Sequence, residues 1–215
     1  MVETDLTKSR KGLITVLAII TGLFLLGYVY LRTSVTLQCP RPYLLDTFNA
    51  DDYLGIWYEL RRSKNIPFED GECVTAQYSY RDDGYIKVDN NQWYGWDGGE
   101  DRVRGGIGQA WINQWEAGKL FVSFFLDFGG KYRILDTDYT SYVVVYSCEN
   151  FLANAFLLTE YSWVLTRDSI EDGSPEFDKV MTKVDEVYSA KIPHYDHETL
   201  MRTTQHGPQC RYYTK

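Results

Sequence analysis

Two hydrophobic textures divide the chain. From Gly12 to Leu31 no residue is charged, and most are Leu, Ile, Val or Phe. A helix over that stretch would reach ~30 Å, the thickness of a bilayer core. Beyond residue 42 the texture changes to short runs in which apolar and polar residues alternate, separated by Gly, Asn and Asp. Such runs predict half-buried strands. They fall at Gly55–Lys64, Glu72–Arg81, Tyr85–Tyr94, Arg102–Ile112, Lys119–Phe125, Tyr132–Asp138, Tyr142–Cys148 and Phe156–Thr166. A short helical turn over Asp51–Leu54 precedes the first. The Asp82-Asp83-Gly84 stretch reads as a hairpin turn, because glycine takes a positive φ at little cost. After the eighth run the period changes to 3.6: Phe177, Val180, Met181, Val184, Val187 and Tyr188 predict one amphipathic helix, capped by Ser174 with Pro175 in its first turn. Eight strands at hairpin spacing followed by one helix predict an all-β sandwich or up-and-down barrel.

The charges around the first segment give it a direction. Lys8, Arg10 and Lys11 precede it and Arg32 follows, which favours a cytoplasmic N-terminus and an exported remainder. The expected division is a cytoplasmic tail at 1–11, a transmembrane signal-anchor at 12–32, and one domain at 33–215 that ends in the helix and a cysteine-bearing tail. A cleaved signal peptide, giving a secreted protein, is the alternative. It has less support because the apolar core is long and no A-x-A-like cleavage site follows.

Composition narrows the functional classes. The chain of 215 residues carries a net charge of -8. Without a basic stripe it lacks the counterion-release term that dominates nucleic-acid binding, so no nucleic-acid partner is expected. The 18 Tyr, 10 Phe and 6 Trp suit pleated surfaces. All four cysteines follow the apolar segment, and an even number in an exported domain points to two disulfides. No metal or cofactor is expected. His194, Asp196, His197 and His206 lie in a polar tail without a fixed ligand face, and Asp97, Glu100 and Asp101 lack the EF-hand pattern. Gly105-Gly106-Ile107-Gly108 lacks the Lys-Ser/Thr of a phosphate loop; within a strand pattern, glycines relieve crowding or introduce curvature.

Three separated stretches carry a resemblance. Asp52-Tyr53-Leu54-Gly55-Ile56-Trp57-Tyr58-Glu59 contains G-x-W-Y after a helical turn. Thr137-Asp138-Tyr139 is followed by Tyr142 and Val144-Val145-Tyr146-Ser147-Cys148, and Trp163-Val164-Leu165-Thr166-Arg167 ends in arginine. Their order and spacing resemble the lipocalins, specifically the apolipoprotein D-like branch, over about Cys39 to Cys210. The resemblance implies an eight-stranded up-and-down antiparallel barrel with one C-terminal α-helix. It also implies the disulfides Cys39–Cys148 and Cys73–Cys210. Gly55, Trp57, Thr137, Asp138, Tyr139 and Arg167 then become structural: Arg167 crossing the Trp57 indole would plug one end by a cation–π contact. The other end stays open as a mouth.

A barrel of this size holds one small ligand. The expected function is non-covalent binding and transport of a small hydrophobic molecule (a fatty acid, lysophospholipid, sterol or pigment), acting near a membrane surface. No catalytic residue is expected. Strand parity leaves the lining open: either Tyr142-Val144-Tyr146 or Val143-Val145-Ser147 faces inward, and Leu120-Val122-Phe124 competes with Phe121-Ser123-Phe125. Alternation from Trp57 puts Glu59 and Arg61 inside, unless a bulge reverses it. With Tyr78, Trp93, Trp111, Phe121 and Phe125 they form the expected lining set. Two other functions stand beside carriage. One is a lipid-modifying enzyme using a free Cys73 thiol, as one branch of the family does. The other is an anchored module that recognises a protein partner through the mouth loops, among them Trp93–Asp101 with Trp93, Tyr94 and Trp96.

Overall fold

The computed structural model describes residues 2–33, 39–124, 130–151 and 157–212, with the side chains of the first helix described at Gly12 and from Ile14 to Tyr28. That helix, α1, spans Val2–Thr33. Its described apolar side chains are exposed, Phe24 most of all. Among the described residues no helix is long and apolar enough to cross a membrane. The flanks of the expected 12–32 anchor lie partly outside the described side chains.

A one-turn helix, α2 (Ala50–Tyr53), is capped by the Asn49 side chain, which accepts from Asp51 N. It leads into eight antiparallel strands: β1 (Gly55–Ser63), β2 (Glu72–Tyr80), β3 (Ile86–Trp93), β4 (Val103–Ile112), β5 (Lys119–Ser123), β6 (Gly130–Thr137), β7 (Tyr142–Phe151) and β8 (Leu157–Thr166). Each pairs with the next, and β1 pairs with both β8 and β2, so the sheet closes on itself. The long helix α3 (Pro175–Lys191) begins where Ser174 accepts from Phe177 N with Pro175 in the first turn. Two short elements, α4 (His197–Leu200) and β9 (Met201–Thr203), were not expected from the sequence. β9 pairs with the far half of β1 at Arg61, Arg62 and Ser63, beyond the segment where β1 pairs with β2.

Burial falls into two clusters. Tyr53, Trp57, Ala76, Tyr78, Ile86, Val88, Leu120, Ile134, Val143, Val145 and Leu165 fill the lower barrel. Leu135, Tyr142, Val144, Tyr146 and Cys148 face outward and pack under Val184, Val187 and Tyr188 of α3. The helix therefore covers β6 and β7 from outside, and their strands are buried on both faces.

The disulfides join Cys39 to Cys148 and Cys73 to Cys210. The first pins the N-terminal lead to β7, and the second ties the tail to β2. Cys73 sits at φ 52, left-handed for a non-glycine residue, where the β2–β3 register shifts between Glu72 and Thr75. Its N–H donates to Gln205 O at 3.0 Å, so tail and bulge hold one another.

Candidate functional site: a barrel cavity plugged at one end

The closed end is built by the motif residues. Trp57 is fully buried, and its indole N–H donates to Tyr53 O at 2.9 Å. The Arg167 guanidinium lies 3.7 Å from the centre of the Trp57 ring. It also donates to the carbonyls of Asp52, Leu54, Ile56 and Tyr139. Gly55 has φ 102, which favours glycine, and a Cβ there would press on the Arg167 side chain at 3.2 Å. Beside the plug, the Asp138 carboxylate accepts from the N–H groups of Thr140, Ser141 and Tyr142. Partial burial raises its pKa, but these bonds and the Ser141 hydroxyl outweigh that effect and hold it below the usual carboxylate range. Thr137 Oγ1 donates to Tyr142 O, and Tyr139 OH accepts from Asn49 N. Gly55, Trp57, Thr137, Asp138, Tyr139 and Arg167 are thus all engaged in closing one end.

Above the plug lies a cavity of about 350 Å³, its volume in the range of small-molecule sites. Its apolar wall includes Val74, Ala76, Val88, Val122, Phe124, Trp163 and Leu165. Phe68, Glu69, Val74, Asn90, Val122 and Phe124 are shared with a wider chamber of about 730 Å³ toward the mouth. At the floor, the Tyr132 hydroxyl meets those of Tyr53 at 2.8 Å and Tyr78 at 3.1 Å. Burial pushes the Tyr78 hydroxyl up to about 12 and raises those of Tyr53 and Tyr132 as well, so all three stay protonated.

Strand parity is now resolved. Val143, Val145 and Ser147 face in, as do Leu120, Val122 and Phe124. Of the expected lining set, Glu59 and Tyr78 stand in the cavity wall. Trp111 and Phe121 do not: they are register partners on β4 and β5 and stack on the outer face with centroids 5.6 Å apart. Trp93 turns away from the cup, folds over Gly95 and donates its indole N–H to Asp101. Phe125 lies outside the described residues.

The fourth correction is Arg61. A register shift between Glu59 and Arg61 makes Leu60 an extra residue, so Glu59 pairs with Leu165 and Arg62 with Trp163 on the same inner face. Arg61 turns outward toward the carbonyls of His197 and Met201. Arg62, missed in the sequence, becomes the partner of Glu59 at 2.5 Å, with both side chains buried. Arg62 also donates to Thr204 Oγ1 at 3.1 Å and Gly71 O at 2.8 Å.

Glu69, in the β1–β2 connection, was also missed. Its carboxyl accepts from Trp163 Nε1 at 2.7 Å and lies beside Glu59. Burial, with the Glu59 charge second, pushes it up to about 8. Native Glu69 therefore holds a proton that the unfolded chain, titrating near 4.5, has released, so its contribution to stability declines as pH rises from about 4.5 to about 8. Glu69→Gln, which keeps an acceptor for Trp163, is expected to flatten this decline. Thermal melts should show the variant gaining on wild type between pH 5 and 8; parallel curves would contradict the assignment.

The remaining sequence candidates separate in space. His194 meets Glu160 and His197 meets Asp185, each at 2.8 Å, while His206 meets the Glu59 carbonyl. No group of three metal-ligating side chains occurs among the described residues. Cys73 is in a disulfide, which removes the thiol route to lipid chemistry. In the β3–β4 loop, the guanidinium groups of Arg102 and Arg104 each lie 5.1 Å from the ring centre of Tyr94.

A closed antiparallel barrel with one end plugged and an apolar cup above the plug defines a small-ligand-binding barrel. The Lipocalin-like domain family model matches residues 48–186. Apolipoprotein D of Rattus norvegicus is 40% identical over 132 residues, covering 61% of this chain and 67% of that protein. The Lazarillo protein of Schistocerca americana is 35% identical over 162 residues, 74% of this chain and 72% of its own. Among solved structures, insecticyanin from the tobacco hornworm Manduca sexta aligns with TM-score 0.63 at 18% identity, covering 80% of this chain and 87% of that one. Lobster apocrustacyanin A1 gives 0.59 at 22%, covering 75% and 82%; at these identities the likeness is one of fold. The chain belongs to the lipocalins, in their apolipoprotein D-like branch.

Proposed function

We propose that the protein binds a small hydrophobic molecule in the barrel and carries it without covalent chemistry. The observation that carries this reading is the cavity of about 350 Å³, apolar on most of its wall and closed beneath by Trp57 and Arg167. Moving a chain or ring system from water into such a cup contributes ~0.8 kcal/mol per buried CH₂. The class of molecule remains that expected from the sequence: a fatty acid, lysophospholipid, sterol or pigment.

The cavity predicts a blocking variant. Ala76 is buried in the wall, and Ala76→Trp would fill the space a ligand needs. A hydrophobic fluorophore is expected to bind wild type saturably at one per chain and the variant at least about tenfold more weakly, by loss of buried area. Val122→Phe serves as the second variant should Ala76→Trp fail to fold. Undiminished binding in folded variants would move the site elsewhere.

The location of the carrier is part of the same proposal. The uncharged stretch Gly12–Leu31, with three basic residues before it, supports a single span with the N-terminus in the cytoplasm. Two disulfides support a barrel on the oxidising side. Delivery or collection at a lipid surface follows from such a tether. Cleavage of the segment would leave a secreted carrier, and the intact mass of the purified protein separates the two. Recognition of a protein partner through the Trp93–Asp101 loop has less support, since Trp93 and Tyr94 are held by Asp101, Arg102 and Arg104.

A further inference from the structure

The way the chain enters the barrel bears on which end meets a bilayer, an inference that rests on the reading of α1 as a membrane span. Five residues, 34–38, separate the end of α1 at Thr33 from Cys39. Fully extended, the steps from Thr33 to Cys39 reach only ~20 Å. Cys39 is bonded to Cys148 of β7. On that strand the plugged end is marked by Tyr142, opposite Thr166, and the mouth by Phe151, opposite Leu157. Cys148 therefore stands three residues from the mouth, ~10 Å, and six from the plug, ~20 Å, at the rise of a strand. From Cys39 the lead runs toward the plug: Leu45 lies against Gly118 in the β4–β5 turn, and Asn49 N donates to the Tyr139 hydroxyl. The lead is thus oriented with Cys39 toward the mouth.

The rim beside that attachment is apolar and uncovered. Phe68, in the β1–β2 connection, is 58% exposed, and Phe124, just past β5, is 44% exposed. The Phe68 ring meets Tyr161 edge-on with centroids 6.5 Å apart, and Tyr161 pairs with Ser147, the residue next to Cys148. Both phenylalanines line the inner cavity and the wider chamber, so they flank the route out of the cup. Trp115 is exposed at the plugged end, but so are Asp51, Asp52, Asp82, Asp83 and Glu116, which lose hydration against a bilayer.

We propose that the barrel sits mouth-down on the bilayer that α1 spans, with Phe68 and Phe124 in its interfacial layer, so that the hydrophobic ligand passes between cup and leaflet without crossing water. Exposed apolar side chains gathered at one edge are the usual mark of such a contact. The opposite orientation would stretch the tether along the side of the barrel and press the acids of the plugged end onto the headgroups.

The test uses the full chain reconstituted in phosphatidylcholine vesicles, with a polarity-sensitive dye on Pro67→Cys, beside Phe68, or on Asp82→Cys at the plugged end, both exposed positions. A lipid carrying a headgroup nitroxide should quench the dye at 67 and leave the dye at 82 unquenched. Lengthening the tether by about twenty Gly-Ser residues after Ser34 should slow uptake of a fluorescent lipid from the same vesicle by about tenfold, because effective concentration falls roughly as the −3/2 power of linker length. Quenching at 82 rather than 67, equal quenching at both, or quenching at neither would overturn the inference and leave anchoring and carriage standing. An uptake rate indifferent to tether length would overturn direct exchange with the leaflet. A chain that does not float with the vesicles removes the span and the inference with it. If the wild-type chain binds no hydrophobic fluorophore in detergent, carriage fails, and the quenching pattern still decides the orientation.

Discussion

Replacing Cys73 and Cys210 together by Ser is expected to lower stability by about 4–5 kcal/mol, because the bridge closes a very long loop in the unfolded chain. The residues lie 137 apart in sequence. The bridge also anchors the segment that completes the barrel seam. Past the point where β1 leaves β2, β9 supplies its partner, and Thr204 N donates to Leu60 O at 3.0 Å. The same tail brings the Thr204 hydroxyl to Glu59 and Arg62 and pairs Arg202 with Glu72. Loss of the bridge should therefore also weaken the setting of the buried Glu59–Arg62 pair. Denaturant titration under oxidising conditions checks the energy, and fluorophore binding by the folded variant checks the cavity. A change below about 1 kcal/mol would mean that tail packing alone holds the seam.

Arg167→Ala is the second large effect. The side chain is only partly buried, yet it satisfies four carbonyls from two stretches of chain, Asp52–Ile56 and Tyr139, and covers the Trp57 ring. Removing it leaves acceptors at the closed end without donors and exposes an indole that packing had covered. The expected cost is about 3 kcal/mol, within the range for charged hydrogen bonds. Arg167→Lys should recover only a minor part, since an ammonium cannot reproduce the planar fork that reaches several carbonyls while lying flat on a ring. Denaturant titration of the three proteins gives the ranking. Equal stability of Lys and Arg at this position would contradict the hydrogen-bonded plug and leave charge alone as its basis.

What could be read from the sequence followed the physics of each element. The strands were legible because Gly, Asn and Asp punctuate them, and the closed end through the resemblance that Gly55, Trp57, Asp138 and Arg167 help to carry. The pairing of cysteines came through the resemblance and agrees with the structure. Parity was not legible where both alternating sets are apolar. On β7, Val143 and Val145 face the barrel while Tyr142, Val144 and Tyr146 face α3, so both faces are buried. On β4 and β5, Trp111 and Phe121 look like core but cover each other outside. The bulge at Leu60 inserts a single residue without a Gly or Pro to mark it, and that residue decides between Arg61 and Arg62 as the partner of Glu59. Glu69 lies in a connection, where alternation carries no information. Its signal was the apolar run Ile66-Pro67-Phe68 directly before it, an apolar setting for an acid within a connection.

The most direct test of the account is native mass spectrometry of the full chain, produced in an oxidising compartment and exposed to lipid extract. The account predicts one hydrophobic molecule per chain on a protein with both disulfides formed, released by organic solvent and absent from the Ala76→Trp variant. A fully oxidised, folded wild-type protein that remains empty in the extract would contradict carriage in the barrel.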